Sequence, residues 1–196
     1  MRSRDGYSLT ELLTAMSIIG LFIAISIPML SNISRKRQLH AASREIRSIF
    51  HFARARAIAK NRHVGVKFRK NSGRWEYALY EDGDWDGVRN DDILDGTDPR
   101  IGDSREVLEG MSGVWIDLPP FRISDPDTKR ILSSSASPIR FGRSTICAFS
   151  YNGSGTPGSI FLTDGNEAAM IVRVFGATGR VRSLIYNRSL TRWETR

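Results

Sequence analysis

The order of apolar and polar positions divides the chain into a helical first part and a strand-rich second part. An uncharged, mostly apolar run extends from Leu12 to Leu30. After it, apolar residues recur at spacings of three and four, as on one face of a helix. The stripe consists of Leu39, Ala42, Ile46, Ile49, Phe50, Ala53 and Ala57. Together the segments predict one helix from Tyr7 to about Asn61, roughly 80 Å long and too long for a compact domain of this size.

Past residue 61, apolar residues alternate with polar ones, as in half-buried strands. The segments with this pattern are His63–Phe68, Trp75–Tyr80, Gly113–Leu118, Ser159–Asp164, Ala169–Phe175 and Gly179–Tyr186. The first two flank "RKNSGR" and predict a hairpin, whereas "YNGSGTPG" predicts a loop and "GATG" a turn. This order predicts an α+β fold, in which an antiparallel β-rich head packs its sheet on the second half of a long N-terminal helix.

The apolar run begins next to a single acid, Glu11, and three interpretations compete for it. A secretory signal peptide would have a shorter apolar core and a small-residue cleavage site. A plain membrane anchor fits the length, since roughly 20 residues span a bilayer core. It leaves Glu11 without a role, because a carboxylate at the edge of lipid is costly without a partner.

The third interpretation is a resemblance. Met1–Leu30 resembles the N-terminus of type IV prepilins and type II secretion pseudopilins, which have a short basic leader ending in glycine, then an aromatic residue, then a glutamate at the fifth position. Gly6, Tyr7 and Glu11 match, although tyrosine replaces the usual phenylalanine. The resemblance implies that a prepilin peptidase cleaves after Gly6 and N-methylates Tyr7. It also implies that Glu11 pairs with the terminal amine of a neighbouring subunit during assembly.

The rest of the chain is similar to one subfamily. A long helix, an early hairpin that begins with "VGVKF" and a late "GRV" strand resemble the GspH/FimT domain of minor pseudopilins and minor pilins. The implied organisation is a leader peptide (1–6), a transmembrane and assembly helix (7–30) with a kink near Pro28, an amphipathic second half of that helix (31–61) and a β-rich head (62–196).

The resemblance implies a structural role and no enzymatic one. The expected function is that of a minor pseudopilin of a type II secretion system, near the fibre tip. Expected partners are other pilins or pseudopilins, the prepilin peptidase and the inner-membrane assembly platform. The protein would cross the bacterial inner membrane once, with its head in the periplasm, before it enters a fibre. The alternatives are a FimT-like minor pilin that binds DNA during uptake, and a membrane-anchored binding module without a fibre role.

The distribution of charge qualifies this interpretation. The net charge is +8, which favours anionic partners such as phospholipid or nucleic acid. Between Arg35 and Lys70, 12 basic residues face one acid, Glu45, a net of +11. The positive-inside rule would place this segment in the cytoplasm. The pilin-like motif places it outside, and we follow the motif.

An acidic segment, Glu81–Glu106, has a net charge of −7 and begins with a calcium-loop pattern. Alternating carboxylates followed by a glycine, as in "DGDWDG", can converge on one calcium ion. The candidate ligands are Asp82, Asp84, Asp86, Asp91 and Asp92. The pattern departs from the EF-hand at its twelfth position, where Ile93 stands instead of glutamate. The alternative is a solvated loop that pairs with the basic helix or with another subunit.

The C-terminal segment "GRVRS" carries two candidate DNA-binding residues, Arg180 and Arg182. On a strand they point to the same side and could contact phosphates without reading sequence. FimT-like minor pilins of DNA-uptake pili carry a similar Gly-Arg-x-Arg motif. The alternative is a basic strand that only prevents unwanted strand pairing.

The sequence contains no arrangement typical of a catalytic site. His40, His51 and His63 have no acid or nucleophile at a suitable spacing. The single cysteine, Cys147, lies in an apolar stretch and is expected to be buried and inert.

Overall fold

A single long helix precedes all the strands. The computed structural model describes residues 8–195, except that the side chains of 24–33 are not described. Helix α1 spans Leu9–Lys60, which confirms the predicted N-terminal helix. The predicted kink near Pro28 stays a prediction. The chain divides into two compact units, Met1–Arg37 and Gln38–Arg196.

The second unit contains two antiparallel sheets rather than one. Its elements after α1 are β1 (Val64–Asn71), β2 (Arg74–Glu81), α2 (Asn90–Asp95), β3 (Arg100–Glu106), β4 (Ile139–Arg140), β5 (Ile146–Phe149), β6 (Gly158–Thr163), β7 (Ala169–Phe175), a 3₁₀ turn (Gly176–Thr178), β8 (Arg180–Asn187) and β9 (Arg192–Thr195). The first sheet has the strand order β3-β2-β1-β5, and the second has β4-β6-β7-β8-β9. The α+β class with antiparallel strands is therefore confirmed.

The predicted hairpin is formed by β1 and β2. Their register runs from Val64 opposite Glu81 to Asn71 opposite Arg74, so the turn contains only two residues. Both have positive φ, 48° for Ser72 and 85° for Gly73. Two-residue turns of this kind match the twist of the strands they connect. The strands therefore continue into the segment "RKNSGR", which the sequence assigned to the turn.

The apolar stripe of α1 forms the centre of the main core. All seven predicted positions of the stripe are buried. The ring of Phe50 lies 6.0 Å from that of Phe68, 5.8 Å from Phe141 and 6.1 Å from Phe149. Phe68 lies on β1, Phe141 directly follows β4, and Phe149 lies on β5. The stripe therefore packs against both sheets, because one helix face supplies the apolar surface that each sheet needs.

The second sheet is also covered on its outer face. A smaller core there contains Ile123, Phe161, Ile171 and Tyr186. Trp193 of β9 packs against it and donates a hydrogen bond from its indole Nε1 to the carbonyl of Ser124, at 2.7 Å. The irregular segment 107–138, which connects β3 to β4 along the chain, therefore covers the outer face of β6, β7 and β8.

The prediction of a strand at Gly113–Leu118 is wrong. Only Trp115 is paired, in an isolated bridge in which its N–H and carbonyl both bond to Thr163. Val114 and Ile116 are buried, which produced the alternating pattern. Gly113 has a φ of 75°, and two prolines follow Leu118, so the backbone cannot continue a ladder.

Several elements lacked a sequence signal, among them β3, α2 and β9 and the two-residue strand β4. β3 is an edge strand whose residues are mostly exposed, so it lacks the apolar alternation that marks a strand. α2 has six residues and no buried side chain. β9 has four residues, of which the indole of Trp193 provides the packing.

Candidate functional site

The predicted processing residues Gly6 and Tyr7 lie outside the described residues. Glu11 lies in the first turn of α1 with its side chain exposed. A carboxylate there interacts favourably with the unpaired N–H groups of the helix start. From Leu12 to Ile23 the helix has no charged residue, and its large apolar side chains are about half exposed or more. This part of α1 therefore presents an apolar surface with one acid at its head. Within the part of the chain that the structure describes, no helix is long and apolar enough to span a bilayer.

Three arginines at the end of α1 and just past it bind groups of the head. The Arg56 guanidinium lies 3.3 Å from the carboxylate of Glu81. Arg62 donates to the carbonyl of Asp82 at 2.9 Å, and its guanidinium lies 4.9 Å from the centre of the Trp85 ring. Arg54 donates to two backbone carbonyls. The basic character of this region therefore serves partly to hold the head together.

Arg54 joins two loops of the head. Its Nε donates to the carbonyl of Gly153 at 2.8 Å, and a terminal nitrogen donates to the carbonyl of Thr178 at 3.3 Å. Gly179 follows with a φ of 56°. A Cβ on Gly179 would lie 2.1 Å from the Gly153 carbonyl oxygen and 2.9 Å from Arg54 Nε. The glycine of the "GRV" segment is therefore required by packing, independently of any ligand.

The two arginines of the "GRVRS" segment lie at the start of β8, on the sheet face that points away from α1. Val181 between them is buried in the main core, and side chains alternate along a strand. Arg180 is exposed and Arg182 is half-buried. Arg182 stands opposite Arg173 of β7, whose guanidinium forms an ion pair with Asp127. Neither Arg180 nor Arg182 has an ion-pair partner among residues 8–195.

Three of the five candidate calcium ligands come together after β2. Carboxylate oxygens of Asp82, Asp84 and Asp86 lie within 4.8 Å of one another. Asp82 is buried, and its carboxylate accepts hydrogen bonds from the amides of Asp84, Trp85 and Gly87, at 3.2, 2.8 and 3.1 Å. Much of its hydrogen-bonding capacity is therefore used by the backbone of its own loop.

The other two candidate ligands lie on α2. Asp92 has a buried Oδ2 with no hydrogen-bond partner in the described part of the chain. Burial, followed by the nearby charges of Asp86 and Asp84, raises the pKa of Asp92. Asp91 is exposed and outside the three-residue group. Arg89 forms an ion pair with Asp86 and reduces the negative charge of the loop. Calcium binding stays a prediction, with Asp92 better placed than Asp91.

A second buried carboxylate, which the sequence did not single out, also organises this loop. Asp98 accepts hydrogen bonds from the amides of Gly83 and Arg89, at 3.1 and 3.0 Å. A Cβ on Gly83 would lie 2.0 Å from the carbonyl oxygen of Thr97, so the two ends of the loop are in close contact. Asp98 is one acid among many in this segment, and nothing local distinguishes it. The fold alone identifies its role.

The residues considered for catalysis are placed as expected for structural roles. Cys147 of β5 is fully buried, and this burial raises the pKa of its thiol well above the usual range. Burial, with the charges of Arg47 and Arg54, lowers the pKa of His51. Within residues 8–195, no histidine belongs to a group of side chains able to hold a metal ion.

A comparison with known families identifies the head. The family model of the type II transport protein GspH matches residues 42–179. The match begins on the buried stripe of α1 and ends at Gly179. It includes the whole first sheet and strands β4, β6 and β7 of the second sheet, and it stops just before β8. No curated protein and no solved structure matches the chain significantly. Because the family match covers most of the chain, this protein belongs to the GspH family of type II transport proteins.

Proposed function

We propose that the protein is a minor pseudopilin of a type II secretion system and that it assembles into the pseudopilus near its tip. One combination of features carries this proposal. A GspH-family head is joined to a helix whose described N-terminal part exposes apolar side chains behind a single acid, Glu11. A protein that acts alone in solution does not benefit from such a surface, which costs free energy until lipid or another subunit covers it.

The proposed life of the chain has two stages. Before assembly, segment 7–30 holds it in the inner membrane with the head in the periplasm. A prepilin peptidase cleaves after Gly6 and methylates the amine of Tyr7. At the assembly platform, Glu11 pairs with the terminal amine of a neighbouring subunit. This pairing offsets the cost of holding either charge in an apolar environment.

The test of this proposal is to replace Glu11 and to measure assembly of the variant. In cells with the secretion machinery, Glu11→Ala should insert in the membrane and lose its leader, but fail to enter sheared fibres. Glu109→Ala removes an exposed acid of the head and serves as the control. Mass spectrometry of the purified chain reports cleavage after Gly6. Normal incorporation of Glu11→Ala would refute the assembly role, and an uncleaved wild-type chain would favour a membrane-anchored binding module.

A second candidate function is DNA binding by a FimT-like minor pilin. The observation that favours it is the position of Arg180 and Arg182 at the start of β8, on the sheet face away from α1. Neither arginine has an ion-pair partner among residues 8–195. Guanidinium groups in such a position suit phosphate contacts, whose affinity falls steeply with salt.

DNA binding is tested with the detergent-solubilised full chain. Arg180→Ala/Arg182→Ala should weaken binding and reduce the slope of log K against log salt by about two units. Arg69→Ala/Arg74→Ala removes two exposed arginines of the other sheet and should leave binding unchanged. Equal binding by all three proteins would exclude this site.

A further inference from the structure

The first sheet has one long open edge. Strand β3 lies at the end of the strand order, and among residues 8–195 only β2 pairs with it. β3 has 7 residues, whereas the other strands at sheet ends are shorter, with 2 residues in β4 and 4 each in β5 and β9. A long edge strand presents a row of backbone donors and acceptors that another extended chain can use.

Two hydrogen bonds show how the ends of β3 present their backbone groups. The carbonyl of Pro99 accepts a hydrogen bond from β2 at 3.0 Å, and the N–H of Val107 donates one to β2 at 2.7 Å. Successive residues of an antiparallel strand direct their backbone groups to opposite edges. The N–H and carbonyl groups of Arg100 and Glu106 therefore point to the open edge, at the two ends of the strand.

An apolar groove borders this edge on the side of α1. It has a volume of about 330 Å³, and its apolar walls include Phe52 of α1, Leu79 of β2 and Ile101 of β3. Asp103 and Arg105 of β3, which are both exposed, also line the groove. Phe52 is 55% exposed, so part of this apolar surface faces solvent. An apolar side chain from a strand beside β3 would cover it and gain free energy by leaving water.

The opposite side of the same edge is cationic. A second groove, of about 280 Å³, is lined by three basic residues, Lys67, Arg69 and Arg100, and by one acid, Glu76. Arg69 lies 3.3 Å from Glu76, whereas Lys67 and Arg100 have no ion-pair partner in the described part of the chain. Burial, followed by the nearby charge of Arg69, lowers the pKa of Lys67. A carboxylate in this groove would therefore offset the crowding of like charges.

β3 also contains a bulge. Its register with β2 shifts between Tyr77 and Leu79, and Gly102 has a φ of 72°. A bulge can discourage pairing at a sheet edge, and it can also redirect side chains beside a functional site. Protection of the edge is therefore the competing explanation for this feature.

We propose that the open edge of β3 binds an extended peptide segment in which apolar and acidic residues alternate. The segment adds to the sheet as a further strand, so that its apolar side chains face Phe52 and its carboxylates face Lys67 and Arg100. Neighbouring side chains of a strand reach opposite faces of a sheet, so one apolar and one cationic groove favour this alternation. In strand addition, main-chain hydrogen bonds provide affinity and such pockets provide specificity. The site lies within the second unit of the chain and goes beyond the proposed fibre role.

A synthetic peptide tests the site. The probe is the end-capped, fluorescein-labelled peptide Glu-Ile-Glu-Val-Glu-Ile-Glu, and fluorescence anisotropy measures its binding to the full chain in mild detergent, with detergent alone as the blank. A peptide of the same composition in which all glutamates come first should bind about tenfold more weakly, because it cannot present the two residue types to opposite faces. Lysine in place of every glutamate should weaken binding about as much, since the charges then repel.

N-methylation of the probe distinguishes strand addition from simple attraction. The N–H groups of a strand point alternately to its two edges, so only one alternating set can bond to β3. Methylation of that set should abolish measurable binding, because several hydrogen bonds are lost together. Methylation of the other set should change the affinity less than about threefold.

Two variants at Glu106 test the backbone of the edge. Glu106→Pro removes an N–H of the open edge and should lower the affinity for the probe about fivefold. Proline is tolerated at such a position, because the N–H does not take part in the existing sheet. Glu106→Ala keeps the N–H and should bind like the wild-type chain. Both variants lose the ion pair with Arg74, so their comparison isolates the backbone group.

Side-chain variants test the two grooves separately. Lys67→Ala/Arg100→Ala should lower the affinity about fivefold, whereas Arg130→Ala/Arg143→Ala removes the same charge from exposed positions outside both grooves and should have little effect.

The apolar groove is tested at Phe52. Phe52→Ser should lower the affinity about fivefold, because less apolar surface is covered. Ile58→Ser is the control, since Ile58 lies on the same helix, is 47% exposed and does not line the groove.

The outcomes decide between strand addition and a protected edge. Binding that requires one alternating set of N–H groups, and that falls in Glu106→Pro, supports the proposal. Absence of binding, or equal affinities of the two methylated peptides, overturns it and leaves the bulge as a device that protects the edge. Equal affinities of Glu106→Pro and Glu106→Ala overturn it as well.

Discussion

The contact between Gly179 and Arg54 leads to a quantitative prediction about the "GRV" segment. In Gly179→Ala, the new Cβ would lie 2.1 Å from the carbonyl oxygen of Gly153, far inside the range of real Cβ contacts. The loop that carries Gly153 must therefore move. Its movement would break the 2.8 Å hydrogen bond from Arg54 to that carbonyl. A substitution of one hydrogen by a methyl group thus disturbs two loops and the helix.

The expected loss can be estimated from its two parts. An alanine in the left-handed region costs about 1–2 kcal/mol. Losing a hydrogen bond from a charged donor costs about 1.5–3 kcal/mol. The sum, about 2.5–5 kcal/mol, is a large fraction of the 5–15 kcal/mol that is typical of folded domains. Gly142→Ala is a matched control, because Gly142 has a φ of 63° and no atom within 4 Å of its added Cβ. It should lose only the conformational part, about 1–2 kcal/mol.

Urea unfolding of the full chain in mild detergent measures the difference. Tryptophan fluorescence reports on the head alone, because all four tryptophans, at positions 75, 85, 115 and 193, lie in the second unit. Arg54→Ala should lower the stability of the wild-type protein, but have a smaller effect in the Gly179→Ala background, where its hydrogen bond is already lost. Equal losses for Gly179→Ala and Gly142→Ala would refute the reasoning.

Three further predictions concern the head. In calorimetry, calcium should release or absorb heat with the wild-type chain but not with Asp84→Ala, while Asp95→Ala, outside the three-residue group, should behave like wild type. Burial raises the pKa of Asp125, but hydrogen bonds from backbone amides and an ion pair hold it below its ordinary value of 3.8. The ionised Asp125 carboxylate therefore stabilises the fold above pH 3.8, and this contribution is lost as the pH falls below that value. In Asp125→Asn, the free energy of unfolding should consequently fall less steeply as the pH is lowered through this range. Glu45→Ala should lower the free energy of unfolding by about 1–3 kcal/mol, because the carboxylate accepts a backbone N–H at 3.1 Å, whereas Glu109→Ala at an exposed position should change it little.

Each of these has a clear contrary result. Calcium heats that persist in Asp84→Ala, or that are absent from the wild-type chain, would leave the acidic loop as a structural element held by its own backbone hydrogen bonds. If Asp125→Asn lost stability at low pH as steeply as the wild-type protein, the loss would have to come from other carboxylates. Equal stabilities for the variants at positions 45 and 109 would mean that the N–H of Leu108 finds another acceptor.

Several parts of the fold followed from local pattern. The stripe from Leu39 to Ala57 has the period of a helix face, and its burial follows because one apolar side must be covered. The hairpin was predictable because alternating strands flank a segment with Asn, Ser and Gly. The limits of such patterns are visible at Gly113–Leu118. Buried valine and isoleucine alternate there as in a strand, but the backbone pairs only at Trp115.

The candidate sites were predictable as residue types but not as arrangements. Three aspartates of "DGDWDG" do come together, as their spacing suggested. The hydrogen bonds that occupy Asp82, and the role of Asp98, depend on loop closure. Arg180 and Arg182 share a sheet face, as alternation requires. The partner of the neighbouring Arg173 comes from a distant segment without a local signal.

The sequence by itself determined the long helix, its buried stripe and the β-rich head, because each depends on residues close together along the chain. Tertiary structure alone decided the division into two sheets, since an apolar strand does not specify which neighbour it pairs with. It also decided that Arg54 points into the head and that Gly179 must lack a side chain. The sequence shows a strongly basic segment, and only the fold shows that Arg54, Arg56 and Arg62 bind groups of the head.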